Sequence, residues 1–302
     1  MINIDELTEL CSKFNCRIST EALLSDYITF RFGGACRALI DVNSAESIAE
    51  IMKYLKANNI KYAVIGRGSN IIASDNGFDG VILHFGSDFS DIAVDGKSIT
   101  AQSGAMLSAV CKKAQEAGLS GMENLFGIPG TVGGALYMNA GAYNSEMKDI
   151  VVSAEYIDAD GKICTVRADD MALSYRHSIF SEKECIITSV TMELSEGNPD
   201  NIKSAMNECI QKRTSKQPLD FASAGSTFKR PSNNSYASLL IEQCGLKGMS
   251  VGDAEVSTKH SGFVINKGNA TCNDVLELCE KVKEIVKEKT GYVLELEPVI
   301  LK

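Results

Sequence analysis

No C-x-x-C pair occurs in this chain of 302 residues, although it carries ten cysteines. Scattered thiols without a histidine at metal-ligand spacing argue against a zinc site or a disulfide framework, and for reduced thiols in a cytoplasm. His84, His177 and His260 stand far apart, so no metal is expected. A long basic block is also missing: Lys and Arg total 30 against 39 Asp and Glu, a net charge of −9. Such a chain is poorly suited to nucleic acid or an anionic membrane, and any anionic ligand must be held by a local basic cluster. No apolar run approaches the roughly 18 residues of a membrane span. The start, Met1 to Leu7, has Asp5 and Glu6 where a secretory signal needs a basic patch. Internal repeats and low-complexity tracts are absent too.

What is present is a dense glycine stretch: Gly127, Ile128, Pro129, Gly130, Thr131, Val132, Gly133, Gly134, and on through Asn139, Gly141 and Ala142 to Tyr143. Five glycines and a proline fall within fifteen residues, and no charge among them. A flexible linker would be rich in Ser, Lys or Glu. Here the glycines alternate with Ile, Val, Leu, Tyr and Met, the pattern of a buried backbone closely approached by another group. Its N–H groups would suit a phosphate or a flavin edge; a tight turn between core elements is the plainer alternative. A second short loop, Gly66-Arg67-Gly68-Ser69-Asn70, follows the apolar run Tyr62–Ile65. It begins like the dinucleotide fingerprint, but Ile71 occupies the third glycine position and no helix is expected to follow. Backbone, hydroxyl and guanidinium donors in this loop could still meet a pyrophosphate.

The length fits two or three domains. The spacing predicts a helix over 44–58 capped by Ser44, strands at Tyr27–Ala35 and Tyr62–Ile65, and a helix over 105–117. A hairpin is expected at 151–166, a strand near 185–194 and a helix over 201–213. A polar loop over 214–235, a helix near 237–244, a strand at 262–266, a helix over 273–289 and a terminal strand over 292–301 complete the reading. Strand–helix–strand order implies a mixed α/β fold. The domain boundary is placed near residue 200.

Taken in order, these motifs resemble one family, the UDP-N-acetylenolpyruvoylglucosamine reductases of peptidoglycan precursor synthesis. The matching residues are Thr29–Ala35, Gly66–Asn70, Gly127–Tyr143, Tyr175-Arg176-His177-Ser178, Lys216-Gln217-Pro218, Ala224-Gly225-Ser226-Thr227-Phe228-Lys229-Arg230-Pro231 and Glu297. They span residues 29 to 297. The resemblance implies a two-lobed FAD-binding domain of the vanillyl-alcohol-oxidase type over 1–200, with lobes of about 1–84 and 85–200. A C-terminal α+β substrate-binding domain would occupy 201–302. It also implies non-covalent FAD, NADPH as hydride donor, a UDP-sugar substrate and a cytoplasmic monomer. FAD would be held by Gly66–Asn70, by Gly127–Thr131, Gly133, Gly134, Asn139, Gly141 and Ala142, and by Arg213.

The implied chemistry assigns residue roles. Hydride arriving at a vinyl carbon develops carbanion character beside the substrate carboxylate, and a fixed cation such as Arg176 would stabilise it. The resemblance makes Ser226 the proton donor and Glu297 an active-site acid working with Arg176. From the pattern alone Ser226 reads equally as a turn residue after Gly225, and Glu295 competes with Glu297 on the same strand face. Tyr175, Lys216, Lys229 and Arg230 are the expected substrate contacts. Arg230 departs from the Asn of some members, and the tyrosine-bearing insertion of one branch is missing. A flavin oxidase is the competing reading; Cys36 adjoins Gly33-Gly34, but no histidine lies in the flavin motifs.

Overall fold

The computed structural model describes residues 2–232 and 235–302, so Met1 and the Asn233-Asn234 pair of the expected polar loop lie outside the described residues. Helices and strands are mixed throughout, as the sequence predicts. Two compact units emerge, and both are discontinuous in sequence. One comprises residues 1–20, 37–67 and 80–212; the other comprises 21–36, 68–79 and 213–302. The contiguous partition at residue 200 differs from this grouping. Position 200 falls in the first turn of a helix, Pro199–Lys216, which begins in the first unit and ends in the second.

The first unit holds two sheets. In one, strands run in the order Arg17–Thr20, Cys36–Asp41, Phe78–His84, Tyr62–Ile65. The last two are parallel, and Arg17–Thr20 lies antiparallel on the edge. The connecting helix, Ala45–Ala57, starts at Ser44 with a capping box: Ser44 Oγ accepts the Ser47 N–H at 3.1 Å and Ser47 Oγ accepts the Ser44 N–H at 3.3 Å. Its Ile48, Ile51, Met52 and Leu55 are buried with Leu7, Val81 and Leu83. The second sheet is antiparallel, in the order Ile163–Arg167, Val151–Asp158, Cys185–Glu193, Ser98–Gln102, Ile92–Asp95. Helices Leu107–Glu116 and Val132–Tyr137 share its core through Val110, Ala114, Val132 and Leu136.

The second unit carries a small antiparallel sheet of Ser250–Val251, Ala254–Val256 and Val264–Asn266, and the helices Ala237–Gln243 and Cys272–Thr290. The chain end, Val299–Leu301, pairs in parallel with Ile71–Ala73, and the Ser74 N–H continues the pairing to Leu301 O at 2.8 Å. That pairing is why residues 68–79 group with the C-terminal part of the chain. The terminal strand is therefore shorter than expected.

Tyr27–Ala35 is not a strand. Ile28, Phe30 and Phe32 are buried in alternation, as the pattern predicts, but Arg31 sits at φ +61° and Gly33 at +118°. Neither value is extended backbone. The hydrogen bonds of this segment go instead to Gly68 O from Thr29 N–H at 3.1 Å, to Ser223 O from Thr29 Oγ1 at 2.6 Å, and to Phe30 O from the Asn266 amide at 3.1 Å. The strand that leads into the 45–57 helix begins only at Cys36.

The long helix Cys272–Thr290 starts with an unusual degree of satisfaction. Thr271 and Asp274 form a capping box, while the Asp75 carboxylate accepts the N–H groups of Cys272 at 2.8 Å and Asn273 at 3.1 Å. A carboxylate there also favours the positive end of the helix dipole. Asp75→Ala is expected to destabilise this unit by about 1–2 kcal/mol, seen as a lower urea midpoint by circular dichroism, with Asp75→Asn recovering most of the loss. An unchanged midpoint in Asp75→Ala contradicts the capping role.

Candidate active site

In the first unit the two glycine loops meet. A Cβ on Gly66 would clash with the Thr131 side chain, so the 66–67 turn can approach the 127–134 stretch only as glycine. Gly133 is shut in the same way against Ser103, whose Cβ would lie 2.7 Å away. The next residue differs. A Cβ on Gly134 would meet only Thr131 Oγ1, at 3.6 Å, so the loop is closed on one face and open on the other. Arg67 and Pro129 are exposed beside half-buried Gly127, Ile128 and Gly130. Much of the glycine content thus answers to protein packing, a demand the sequence reading ascribed to a ligand.

Asn139, Gly141 and Ala142 also brace the fold. Asn139 is fully buried at φ +41°, and its amide is committed on all sides: Nδ2 donates to Glu146 Oε2 at 3.0 Å and to Ser174 O at 2.9 Å, and Oδ1 accepts the Lys148 N–H at 2.9 Å. Gly141 and Ala142 pair with Glu146 and Ser145 in a short hairpin whose two turn residues, Tyr143 and Asn144, both have positive φ. These bonds make Asn139 a brace between that hairpin and the turn that carries Arg176.

That turn is closed by reciprocal bonds between Ser174 and His177, at 3.2 and 3.1 Å, and presents Tyr175 and Arg176 at its tip. Arg176 adopts φ +56°, a left-handed conformation that costs an L-residue about 1–2 kcal/mol. Its guanidinium lies 5.0 Å from the centroid of the exposed Tyr175 ring. Behind it, Ser178 Oγ donates to Tyr137 O at 2.7 Å, and His177 spans Ala172 O and Glu182 at 3.0 and 2.7 Å. The Glu182 contact first, then Ala172 O, raises the His177 pKa above its ordinary value. Burial alone would lift the Glu146 carboxyl, but Lys148, Asn139 and the Arg176 charge together hold it below the usual carboxylate range.

In the second unit, three segments converge. Ser226 is exposed, followed by buried Thr227 and Phe228. Thr227 donates its N–H to Gly262 O at 2.8 Å, accepts the Val264 N–H on Oγ1 at 2.8 Å, and accepts the Glu297 N–H on its carbonyl at 3.0 Å. Phe228 pairs with Leu296, and Lys229 N–H donates to Glu295 O at 2.9 Å. Ser226 and Glu297 are therefore anchored to the same residue. Asn70 joins them, its Nδ2 donating to Glu297 O at 3.3 Å and its carbonyl accepting the Val299 N–H at 2.9 Å. Gly225, at φ +76°, faces Ser69 O at 4.0 Å from where a Cβ would stand. The second half of the 66–70 loop, the Ser226 motif and the Glu297 segment thus lie together. Glu297 is half-buried, whereas Glu295 is exposed with Lys229 at 3.9 Å.

The other expected cations are in this unit as well. Arg230 lies 4.6 Å from the Tyr236 ring centroid, Lys216 is exposed at the end of its helix, and Arg213 is half-buried one turn earlier. Sequence reasoning passed over Thr227 and Thr29 as supports, although both stand inside matched motifs. Their signal was a polar β-branched residue beside buried aromatics, Phe30 after Thr29 and Phe228 after Thr227. Among the described residues, no helix is long and apolar enough to span a membrane, and no His, Cys, Asp or Glu cluster could hold a metal.

Comparison with known proteins agrees with this geometry. The family model for an FAD binding domain matches residues 36–167, and the model for the C-terminal domain of UDP-N-acetylenolpyruvoylglucosamine reductase matches residues 217–301. The chain is 43% identical to the UDP-N-acetylenolpyruvoylglucosamine reductase of Clostridium novyi (strain NT) over 280 residues, covering 93% of this chain and 91% of that one. It is 44% identical to the enzyme of the same name from Clostridioides difficile (strain 630), covering 94% and 93%. The solved UDP-N-acetylenolpyruvylglucosamine reductase of Thermus caldophilus superposes with a TM-score of 0.82 at 33% identity, covering 95% of this chain and all of that one. On these grounds the chain is an oxidoreductase and belongs to the UDP-N-acetylenolpyruvoylglucosamine reductase family.

Proposed function

We propose that this enzyme uses FAD and NADPH to reduce the enolpyruvyl ether of UDP-N-acetylglucosamine enolpyruvate to UDP-N-acetylmuramic acid in the cytoplasm. The observation that carries the reading is the anchoring of Ser226 and Glu297 to Thr227, with Ser69 and Asn70 beside them. The reading is supported by these two residues sharing a support beside a loop of the expected cofactor site.

The residues fit a flavin dinucleotide. The open face at Gly134, against the closed face at Gly133, leaves backbone accessible where an L-side chain would otherwise project. Gly66–Asn70, Gly127–Thr131, Gly133, Gly134 and Arg213 would hold it, with Asn139, Gly141 and Ala142 supporting from behind. When bound, FAD would supply the hydride chemistry between NADPH and the vinyl carbon. Arg176 stabilises the negative charge that grows beside the substrate carboxylate. Ser226 gives the proton to the carbon beside that carboxylate, and Glu297 serves as the second active-site acid. Lys216, Lys229 and Arg230 neutralise the diphosphate of the substrate, and Tyr175 packs against it. In functional terms residues 1–200 serve mainly FAD and 201–302 mainly the UDP-sugar.

Anaerobic flavin spectroscopy tests the reading: bleaching by NADPH followed by recovery on adding UDP-N-acetylglucosamine enolpyruvate identifies the reaction, and a bleached flavin that the substrate leaves unchanged refutes it. Ser226→Ala should separate the two half-reactions, with reduction near normal and reoxidation slowed about 10²–10⁴-fold, roughly 3–5 kcal/mol at that barrier. Slowed reduction with normal reoxidation would assign Ser226 to nicotinamide binding instead.

The backbone at Arg176 offers a second test. Glycine adopts φ +56° without strain, so Arg176→Gly should keep or raise the melting temperature while slowing reoxidation about 10²–10³-fold. A lower melting temperature with normal reoxidation would make Arg176 a structural residue.

A further inference from the structure

The loop Ser257–Phe263 in the second unit folds over its own backbone. Ser257 N–H donates to Phe263 O at 2.9 Å, and Phe263 N–H donates to His260 O at 3.0 Å. The buried Ser257 Oγ accepts the N–H groups of Lys259 and His260 at 3.2 and 3.3 Å. The His260 ring then turns back, its Nδ1 lying 3.1 Å from the Gly262 nitrogen and its edge against Phe263 with centroids 5.1 Å apart. An amide N–H only donates, so Nδ1 is the acceptor and the ring is neutral, with its proton on Nε2. The carbonyl of Gly262 receives the Thr227 N–H at 2.8 Å, and Thr227 is bonded to Ser226. A Cβ on Gly262 would stand 3.0 Å from His260 Cε1 and 3.1 Å from Ser238 Cβ, so the peptide is clamped from both sides.

We propose that His260 is a positioning residue for Ser226: its neutral ring holds the Gly262 peptide, and that peptide holds the Thr227 backbone. The inference rests on the reading of Ser226 as proton donor. Protonation of Nδ1 would set two donors face to face, release the Gly262 peptide and loosen the support of Ser226. The charged groups facing the ring are Lys247 and Glu242 from beyond and within the 237–243 helix, and Lys216 from the end of the 199–216 helix. Lys259, on the loop itself, is turned to Thr214 O at 2.7 Å. Burial, the largest cause, together with Lys247 and Lys216, holds the His260 pKa below its ordinary value, against the ring's own backbone bond and Glu242. A depressed histidine value favours the neutral ring in the folded protein. Its contribution is therefore complete above the ordinary imidazole range and is lost as pH falls through the folded value.

The test follows reoxidation of prereduced holoenzyme by UDP-N-acetylglucosamine enolpyruvate from pH 5 to 8.5, in wild type, His260→Asn, His260→Ala and Ser226→Ala. Alongside, the Cε1 protons of the three histidines are titrated by NMR, His260 being the signal missing from His260→Asn. Wild-type reoxidation should fall about tenfold per pH unit below the His260 midpoint, while reduction by NADPH does not follow that midpoint. His260→Asn keeps an acceptor but cannot titrate, so its reoxidation should lose this acid limb and run at least tenfold faster than that of His260→Ala. An acid limb that persists in His260→Asn, or a wild-type limb away from the NMR midpoint, overturns the inference. If His260→Asn does not fold, the signal missing from His260→Ala assigns His260 and the wild-type comparison decides. Failure of the underlying reading shows separately, as normal reoxidation in Ser226→Ala.

Discussion

Thr227 forms three hydrogen bonds through its amide, its carbonyl and its hydroxyl, and the chemistry of the second unit is built outward from them. Each bond fixes a different segment: the 257–263 loop, the Val264 strand and the Glu297 extension. The side chain is 2% exposed, so none of these partners can be exchanged for water without leaving a buried polar group unmet. Ser226 and Glu297 inherit their relative placement from this residue. A hydroxyl on a free loop would have to find its position anew each time; here the neighbouring backbone has already fixed it.

The Arg176 turn reaches the same end by different means. Its tip is strained at φ +56°, and strain of this kind persists only where the surroundings over-determine the backbone. Asn139 supplies that constraint from one side and Ser178 from the other. In both units an accessible residue is held by a buried polar one, Arg176 by Asn139 and Ser226 by Thr227.

The helices were legible because their signals are local. Ser44 and the i, i+3, i+4 apolar spacing sit within one turn of what they specify. Tyr27–Ala35 was legible only in part: the period of two named the buried side chains correctly, but Arg31 and Gly33 interrupt the extension, and no local rule announces an arginine at positive φ. The glycines show the same limit. Their number marked a close approach, yet Gly66 answers to Thr131 and Gly133 to Ser103, contacts 65 and 30 residues away in the chain. The site residues Ser226 and Glu297 came from motif order, and the alternation around Glu297 left Glu295 in contention. What separates the two is burial and the bond to Thr227, a residue 70 positions earlier.

The parallel pairing of Val299–Leu301 with Ile71–Ala73 has a consequence for synthesis. A ribosome delivers residues 71–73 long before residues 299–301, and until those later residues emerge the segment has no ladder partner. Long-range parallel pairing is slow to form even once both strands are made, because loop closure precedes any reward. This unit therefore closes late, and its apolar strand must stay unaggregated for the whole interval. A chain stalled or cut before Val299 would hold most of the unit's residues and still lack this pairing.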